Sequence, residues 1–178
     1  VYLLKLKHDV KLFKTTSERA AKKIFKILSV KKFDRLVIAG GDGSVCFAIN
    51  QILKYPSLIN KKVGYIPVGT ANILQIEIKV PKNAEFIAKV LIAGNTKKIS
   101  LPKINDQFFF LMAGVGFDGK IVASINTKIK KYLGKIIFIL KGLQQFLFLD
   151  SDKMEILIEG KRIEADWILS MNSKYYAG

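Results

Sequence analysis

The chain has 178 residues, half of them apolar, and a formal charge of +16. That supplies ample core material and is too apolar for a disordered segment. A single cysteine, Cys46, and a single histidine, His8, exclude an internal disulfide, a histidine-based triad and a multi-histidine metal site.

Val1–Lys7 reads as the end of an amphipathic helix, and Val10-Lys-Leu-Phe13 alternates like a strand. Thr15-Thr-Ser-Glu18 has capping-box spacing, with Thr15 as N-cap and Glu18 at the third helical position. The helix it opens runs from about Ser17 to Leu28 and gathers Ala20, Ala21, Ile24, Phe25 and Leu28 on one face. Leu36-Val-Ile-Ala39 is the apolar run expected of a strand buried on both faces. Gly40, Gly41, Asp42 and Gly43 follow, and Val45–Leu53 then shows helical spacing up to Tyr55-Pro56. Lys62–Pro67 is a second strand, and Pro67-Val-Gly-Thr-Ala-Asn72 a second glycine turn. An apolar helix-like stretch follows through Val80 and stops at Pro81. Asn83–Ala93 is an amphipathic helix ended by Gly94-Asn95.

Strand and helix alternate through this half, which implies an α/β domain with a mostly parallel sheet. In such sheets ligands sit beyond the carboxyl ends of the strands. Glycines there let a phosphate reach the backbone, and the next helix offers free N–H groups. Asp42 would repel phosphate without a cation between them, so a metal-nucleotide is the natural ligand. The plain alternative is a tight turn whose glycines only supply positive φ.

From about residue 97 the texture changes. Lys97–Leu101, Gln107–Ala113, Lys153–Ile158 and Ala165–Met171 read as strands, with turns at Asn105-Asp106 and Glu159-Gly160-Lys161. The expected domains are therefore 1–97, nucleotide-binding and α/β, and 98–178, antiparallel and β-rich. The second carries a helical insertion at about 120–149.

The two glycine motifs together, Gly-Gly-Asp-Gly-Ser at 40–44 and Pro-Val-Gly-Thr-Ala-Asn at 67–72, resemble the diacylglycerol kinase catalytic family. Its superfamily includes sphingosine kinases and NAD kinases. Gly69–Leu74 with Glu77 and Pro81, Leu111–Asp118, Leu133–Phe138 and Asn172–Gly178 extend the resemblance. It implies the NAD kinase/diacylglycerol kinase-like fold and ATP-dependent phosphorylation of diacylglycerol or a related lipid, with Mg²⁺. Carried over, Gly40, Gly41, Gly43 and Ser44 would cradle the nucleotide, and Asp42 would organise Mg-ATP as the catalytic residue, touching the metal only indirectly. Thr15 would contact the nucleotide, and Gly69, Thr70 and Asn72 would line the other wall. Ser44 replaces the usual threonine, and Cys46-Phe47 stand where the family commonly has Asn-Glu. The resemblance places the first strand before residue 1, and the general base and structural Mg²⁺ site beyond residue 178.

The positive charge would suit an anionic surface. Arginine appears only at Arg19, Arg35 and Arg162, however, and lysine supplies the rest of the 30 basic residues, a compositional skew. Nucleic-acid contacts favour arginine as well, so no nucleic-acid partner is expected. Lys128, Lys130, Lys131 and Lys135 lie beside the apolar run Ile136–Leu140, a helix read as core whose lysines would help recruitment to a bilayer. The location expected is cytoplasmic, peripheral at the inner membrane face. The oligomer stays open, a homodimer included. Gly114–Gly119 fits a dinucleotide fingerprint but lacks the acidic residue that should follow, and is set aside. Asp150 and Asp152 read as a solvated loop, and Trp167 as part of the second core. The rival functions are an NAD kinase-like enzyme and an inactive nucleotide-binding remnant.

Overall fold

The computed structural model describes residues 8–116 and 153–174. The segments read at 1–7 and at the 120–149 insertion, Asp118, the two aspartates at 150 and 152, and Tyr175–Gly178 lie outside these residues. The chain divides into two compact units between Phe110 and Leu111.

In the first unit, α1 spans Glu18–Leu28. Its N-cap is Ser17, whose hydroxyl accepts the Ala20 N–H at 3.2 Å, and not the expected Thr15. A serine hydroxyl two residues later satisfies the same orphan donor, so the helix starts there. The apolar face is as expected: Ala21, Phe25 and Leu28 are buried. Val10–Phe13 does not form the expected strand; it makes no ladder, and Leu12 is 89% exposed.

β1 (Arg35–Gly40) and β2 (Lys62–Pro67) pair in parallel, with Ile38 opposite Tyr65 and Gly40 opposite Pro67. Between them run α2 (Asp42–Ile52) and the short α3 (Pro56–Ile59). β1 is only half-buried, contrary to the expected double burial. Among the described residues it has one strand neighbour, and an open cavity of about 1070 Å³ reaches Leu36–Ala39. Phe25 and Leu28 of α1, Ala48 and Ile52 of α2 and Leu58 of α3 form a buried cluster, with Leu36 and Ile38 of β1 packed against it.

After β2 come α4 (Ile73–Glu77) and α5 (Ala84–Ala93). α4 stops short of Val80. Lys79 takes a left-handed φ of 56°, and the Val80 N–H returns to the Gln75 carbonyl at 2.9 Å, a Schellman-type ending. α5 follows expectation. The Asn83 side chain caps its first turn, and Gly94 ends it at φ 73°. Leu91 of α5 packs over Gly64 of β2, where a Cβ would collide with it.

The change of texture at 97 does not end the unit. Lys97–Leu101 forms no ladder, and the expected strand 107–113 breaks in two. β3 (Lys103–Ile104) and β4 (Gln107–Phe108) make a small hairpin. Asn50 of α2 holds it. Its Nδ2 donates to the Phe108 carbonyl at 2.8 Å, and its Oδ1 accepts the Phe108 N–H at 2.9 Å. The side-chain amide thus pairs with β4 as a neighbouring strand would, and keeps the chain with the first unit through Phe110.

The second unit is antiparallel, as expected. β5 (Met112–Gly116) pairs with β8 (Trp167–Met171), and β6 (Met154–Ile158) with β7 (Lys161–Ala165). The sequence reading missed β7. Glu159 and Gly160 both have positive φ, 49° and 80°, the signature of a two-residue hairpin turn that obliges a return strand. Trp167 faces Gly116 in the register, which offers no side chain to cover it, and remains 43% exposed.

Replacing Asn50 with alanine removes both ends of the Phe108 bond pair and leaves half-buried backbone groups unsatisfied. A loss of about 1–3 kcal/mol is expected in chemical denaturation, with raised amide exchange at Phe108.

Candidate functional site

The parallel register decides where the two glycine turns emerge. Gly40 and Pro67 are level, and the Val68 N–H donates to the Gly40 carbonyl at 3.1 Å. Both turns therefore leave one carboxyl edge of the sheet side by side. Gly41 has an ordinary extended backbone, φ −89° and ψ −179°. Among the described glycines only Gly94, Gly116 and Gly160 have positive φ, so the first turn is not glycine-rich for dihedral reasons. Space is the reason. A Cβ on Gly41 would lie 3.2 Å from the Gly69 Cα, and one on Gly69 would run into the Gly41 Cα. Gly40 is buried, and a Cβ there would lie 2.5 Å from that of Ser44. Gly43 is different: it is exposed, and nothing lies within 4 Å of a Cβ built on it.

Helix α2 begins at Asp42, three residues earlier than its apolar spacing suggested. Gly43 and Ser44 thus sit in its first turn, where Asp42 and Gly43 present N–H groups that have no intrahelical acceptor. The Asp42 side chain turns to the second loop. Its Oδ2 accepts the Ile73 N–H and its Oδ1 the Leu74 N–H, each at 3.0 Å. A charged acceptor at the start of α4 also suits the helix dipole. Asn72, the N-cap residue of α4, makes no side-chain capping bond, so Asp42 does this work from the neighbouring turn.

Asn72 is occupied otherwise. It holds a left-handed φ of 50°, which asparagine tolerates. Its Oδ1 accepts the Gly69 N–H at 3.0 Å, and its Nδ2 donates to the Gly69 carbonyl at 2.8 Å. The Tyr65 hydroxyl donates to the same Oδ1 at 3.1 Å. Tyr65 is buried, 6% exposed. Burial first, and the nearby Asp42 charge second, push its phenol from 10.0 up to about 12.

Gly43, Ser44 and Thr15 line the open cavity beside β1, together with Ile38 and Phe47. Gly69, Thr70 and Asn72 are not in its wall. Gly69 and Thr70 are exposed and Asn72 is half-buried, on the far side of the Gly41–Gly69 contact. Cys46 directs its sulfur to the Phe108 carbonyl at 3.5 Å, and burial pushes its thiol up. No group of three or more metal-ligating side chains occurs among the described residues. No described helix is long and apolar enough to cross a membrane.

Sequence reasoning missed Tyr65 and Asn50. A tyrosine inside an apolar strand needs a partner for its hydroxyl when buried, and an asparagine within a helix competes poorly for that position unless its side chain is used. Those were the available signals.

The fold and the joined turns define a mixed α/β domain with two glycine turns at one sheet edge. Residues 2–104 match the diacylglycerol kinase catalytic domain, and the chain belongs to that family. It is 28% identical over 156 residues to a diacylglycerol kinase of Bacillus subtilis (strain 168), covering 87% of this chain and 51% of that protein. It is also 28% identical over 134 residues to a Salmonella heidelberg (strain SL476) protein named "Probable lipid kinase YegS", covering 75% and 45%. The chain thus spans about half the length of the curated relatives it matches. The crystal structure of a diacylglycerol kinase from Bacillus anthracis str. Sterne shares the fold. Its TM-score is 0.69 at 24% identity, over 97% of this chain and 56% of that one.

Two outcomes follow from this geometry. Gly69→Ala forces the two turns apart and lowers the denaturation midpoint, whereas Gly43→Ala meets no atom and leaves it unchanged or raises it, by up to about 1 kcal/mol of helix propensity. The raised Tyr65 pKa favours the protonated phenol in the folded state. Its stabilisation is full below pH 10 and is lost as pH rises toward 12, so the stability margin of wild type over Tyr65→Phe narrows across that window in parallel urea titrations.

Proposed function

We propose that this chain carries the nucleotide-binding part of a lipid kinase. The reaction is transfer of the γ-phosphoryl group of Mg-ATP to the hydroxyl of diacylglycerol or a related lipid. The observation that supports this reading most is the meeting of the two family turns at one sheet edge, Gly41 against Gly69 with Asp42 reaching across to α4. The names of the Bacillus and Salmonella relatives support the same class of acceptor.

Phosphoryl transfer depends on positioning and charge stabilisation more than on covalent chemistry. The residues present fit a phosphate chain. The Asp42 and Gly43 amides in the first turn of α2 have no intrahelical acceptor, Gly43 leaves room for close approach, and Ser44 is exposed. Gly40 and Gly41 bring that turn in close, and Thr15 borders the same cavity as Gly43 and Ser44. Gly69, Thr70 and Asn72 lie outside the lining of that cavity, in the turn whose Gly69 backbone meets Gly41. Mg²⁺ carried on the phosphates would supply charge neutralisation there. Asp42 acts at one remove, by holding the start of α4 just beyond the second turn. The lipid acceptor implies that the protein works at a membrane surface, as a peripheral protein of the cytoplasmic face.

The test uses the full-length polypeptide containing these residues, with labelled ATP, Mg²⁺ and either mixed diacylglycerol dispersions or NAD. Label is expected in the lipid fraction, and to fall at least tenfold with Asp42→Ala. Label in NAD alone would identify an NAD kinase-like enzyme. Nucleotide binding with label in neither acceptor would identify a remnant without turnover.

A further inference from the structure

We infer that Tyr65 is a positioning residue for the phosphate-donor site, setting the Gly69–Thr70 turn through Asn72. This deepens the kinase reading and rests on it. Tyr65 belongs to β2, two residues before Pro67, so its ring is anchored in the sheet while its hydroxyl reaches the loop that the strand feeds. The loop's other ties are the Val68 N–H bond to the Gly40 carbonyl and the Gly69 contact with Gly41, neither of which touches the Asn72 amide. Asp42 holds Ile73 and Leu74, which lie in α4 beyond the turn. The remaining side-chain bonds of Asn72 are local, both to Gly69, and its backbone carbonyl accepts the Gln75 N–H of α4 at 3.0 Å.

The Asn72 Oδ1 has two acceptor sites, and Tyr65 and Gly69 fill both. That double use fixes the orientation of the amide and holds a non-glycine residue in the left-handed region. The phenol can do this only as a donor. Its burial and the Asp42 charge keep it protonated over the working pH range. Removing the hydroxyl leaves the Asn72 side chain bonded only to Gly69, and the exposed Thr70 then moves with a locally held loop.

The experiment compares wild type, Tyr65→Phe and Ile52→Val. Ile52 lies in the buried cluster of α2 and makes no part of either turn, so its variant reports a modest stability loss alone. Three quantities are read: amide exchange at Gly69, Mg-ATP affinity by calorimetry, and the KM values for ATP and lipid in the transfer assay. Tyr65→Phe is expected to speed Gly69 exchange severalfold and weaken Mg-ATP roughly two- to tenfold, the worth of one neutral hydrogen bond. The loss falls on KM for ATP and spares KM for lipid, while Ile52→Val stays within about twofold of wild type. The inference is overturned if Tyr65→Phe binds Mg-ATP like wild type, if Ile52→Val weakens it equally, or if faster exchange comes without an affinity loss. Wild type that binds no Mg-ATP sinks the kinase reading itself, and with it any donor-site role for Tyr65. Wild-type binding with an unaffected Tyr65→Phe sinks only the inference.

Discussion

The site depends on one close approach, the backbone of Gly41 against the backbone of Gly69. Neither residue has room for a Cβ on the facing side. Everything polar at this sheet edge is arranged around that contact. Asp42 crosses it to take two amides of α4, and a charged acceptor makes each of those bonds worth about 1.5–3 kcal/mol, against about 1 for a neutral pair. The cross-link is stronger than either turn's internal bonding, and it ties the start of α2 to the start of α4.

The rest of the first unit keeps that contact in register. The parallel ladder sets Gly40 level with Pro67, so a slip of one residue would separate the turns. Beneath the ladder, Phe25, Leu28, Ala48, Ile52 and Leu58 pack α1, α2 and α3 together, with Leu58 1% exposed. α2 is held at both ends. Its first turn joins the glycine contact, and Asn50 near its last turn grips Phe108 as a surrogate strand. The helix that carries Gly43 and Ser44 therefore has little freedom to drift.

Division of labour among the polar side chains follows from what each can reach. Asn72 stands at the N-cap position of α4 but spends its amide on Gly69 and Tyr65, so the capping passes to Asp42. Both Asp42 oxygens are thereby engaged by N–H donors, which spreads the charge of the carboxylate. Tyr65 closes the set from the strand side. The glycine turn keeps one open position, Gly43, and that is where a ligand could come nearest to the backbone.

Much of this was readable from residue order. The apolar runs at Leu36–Ala39 and Lys62–Pro67, the amphipathic α1, the Asn83 and Gly94 ends of α5, and the two glycine motifs all rest on local rules of period and capping. Those rules act within a few residues, so the letters alone determine them. Tertiary structure decided the remainder. Which hydroxyl caps α1, Thr15 or Ser17, where α4 stops and why Lys97–Leu101 forms no strand depend on competition among partners. Positive φ was the plain alternative reading of the glycines; at Gly41 and Gly69 the reason is instead the close approach of two backbones, and a missing Cβ says nothing about which backbone lies opposite. Asp42 meets Ile73 and Leu74 only because the parallel register brings two edge turns together, whereas Tyr65 meets Asn72 because the turn after β2 folds back on its own strand. A linear reading cannot supply that, since contacts thirty residues apart are set by the packing of the whole unit and not by any local preference.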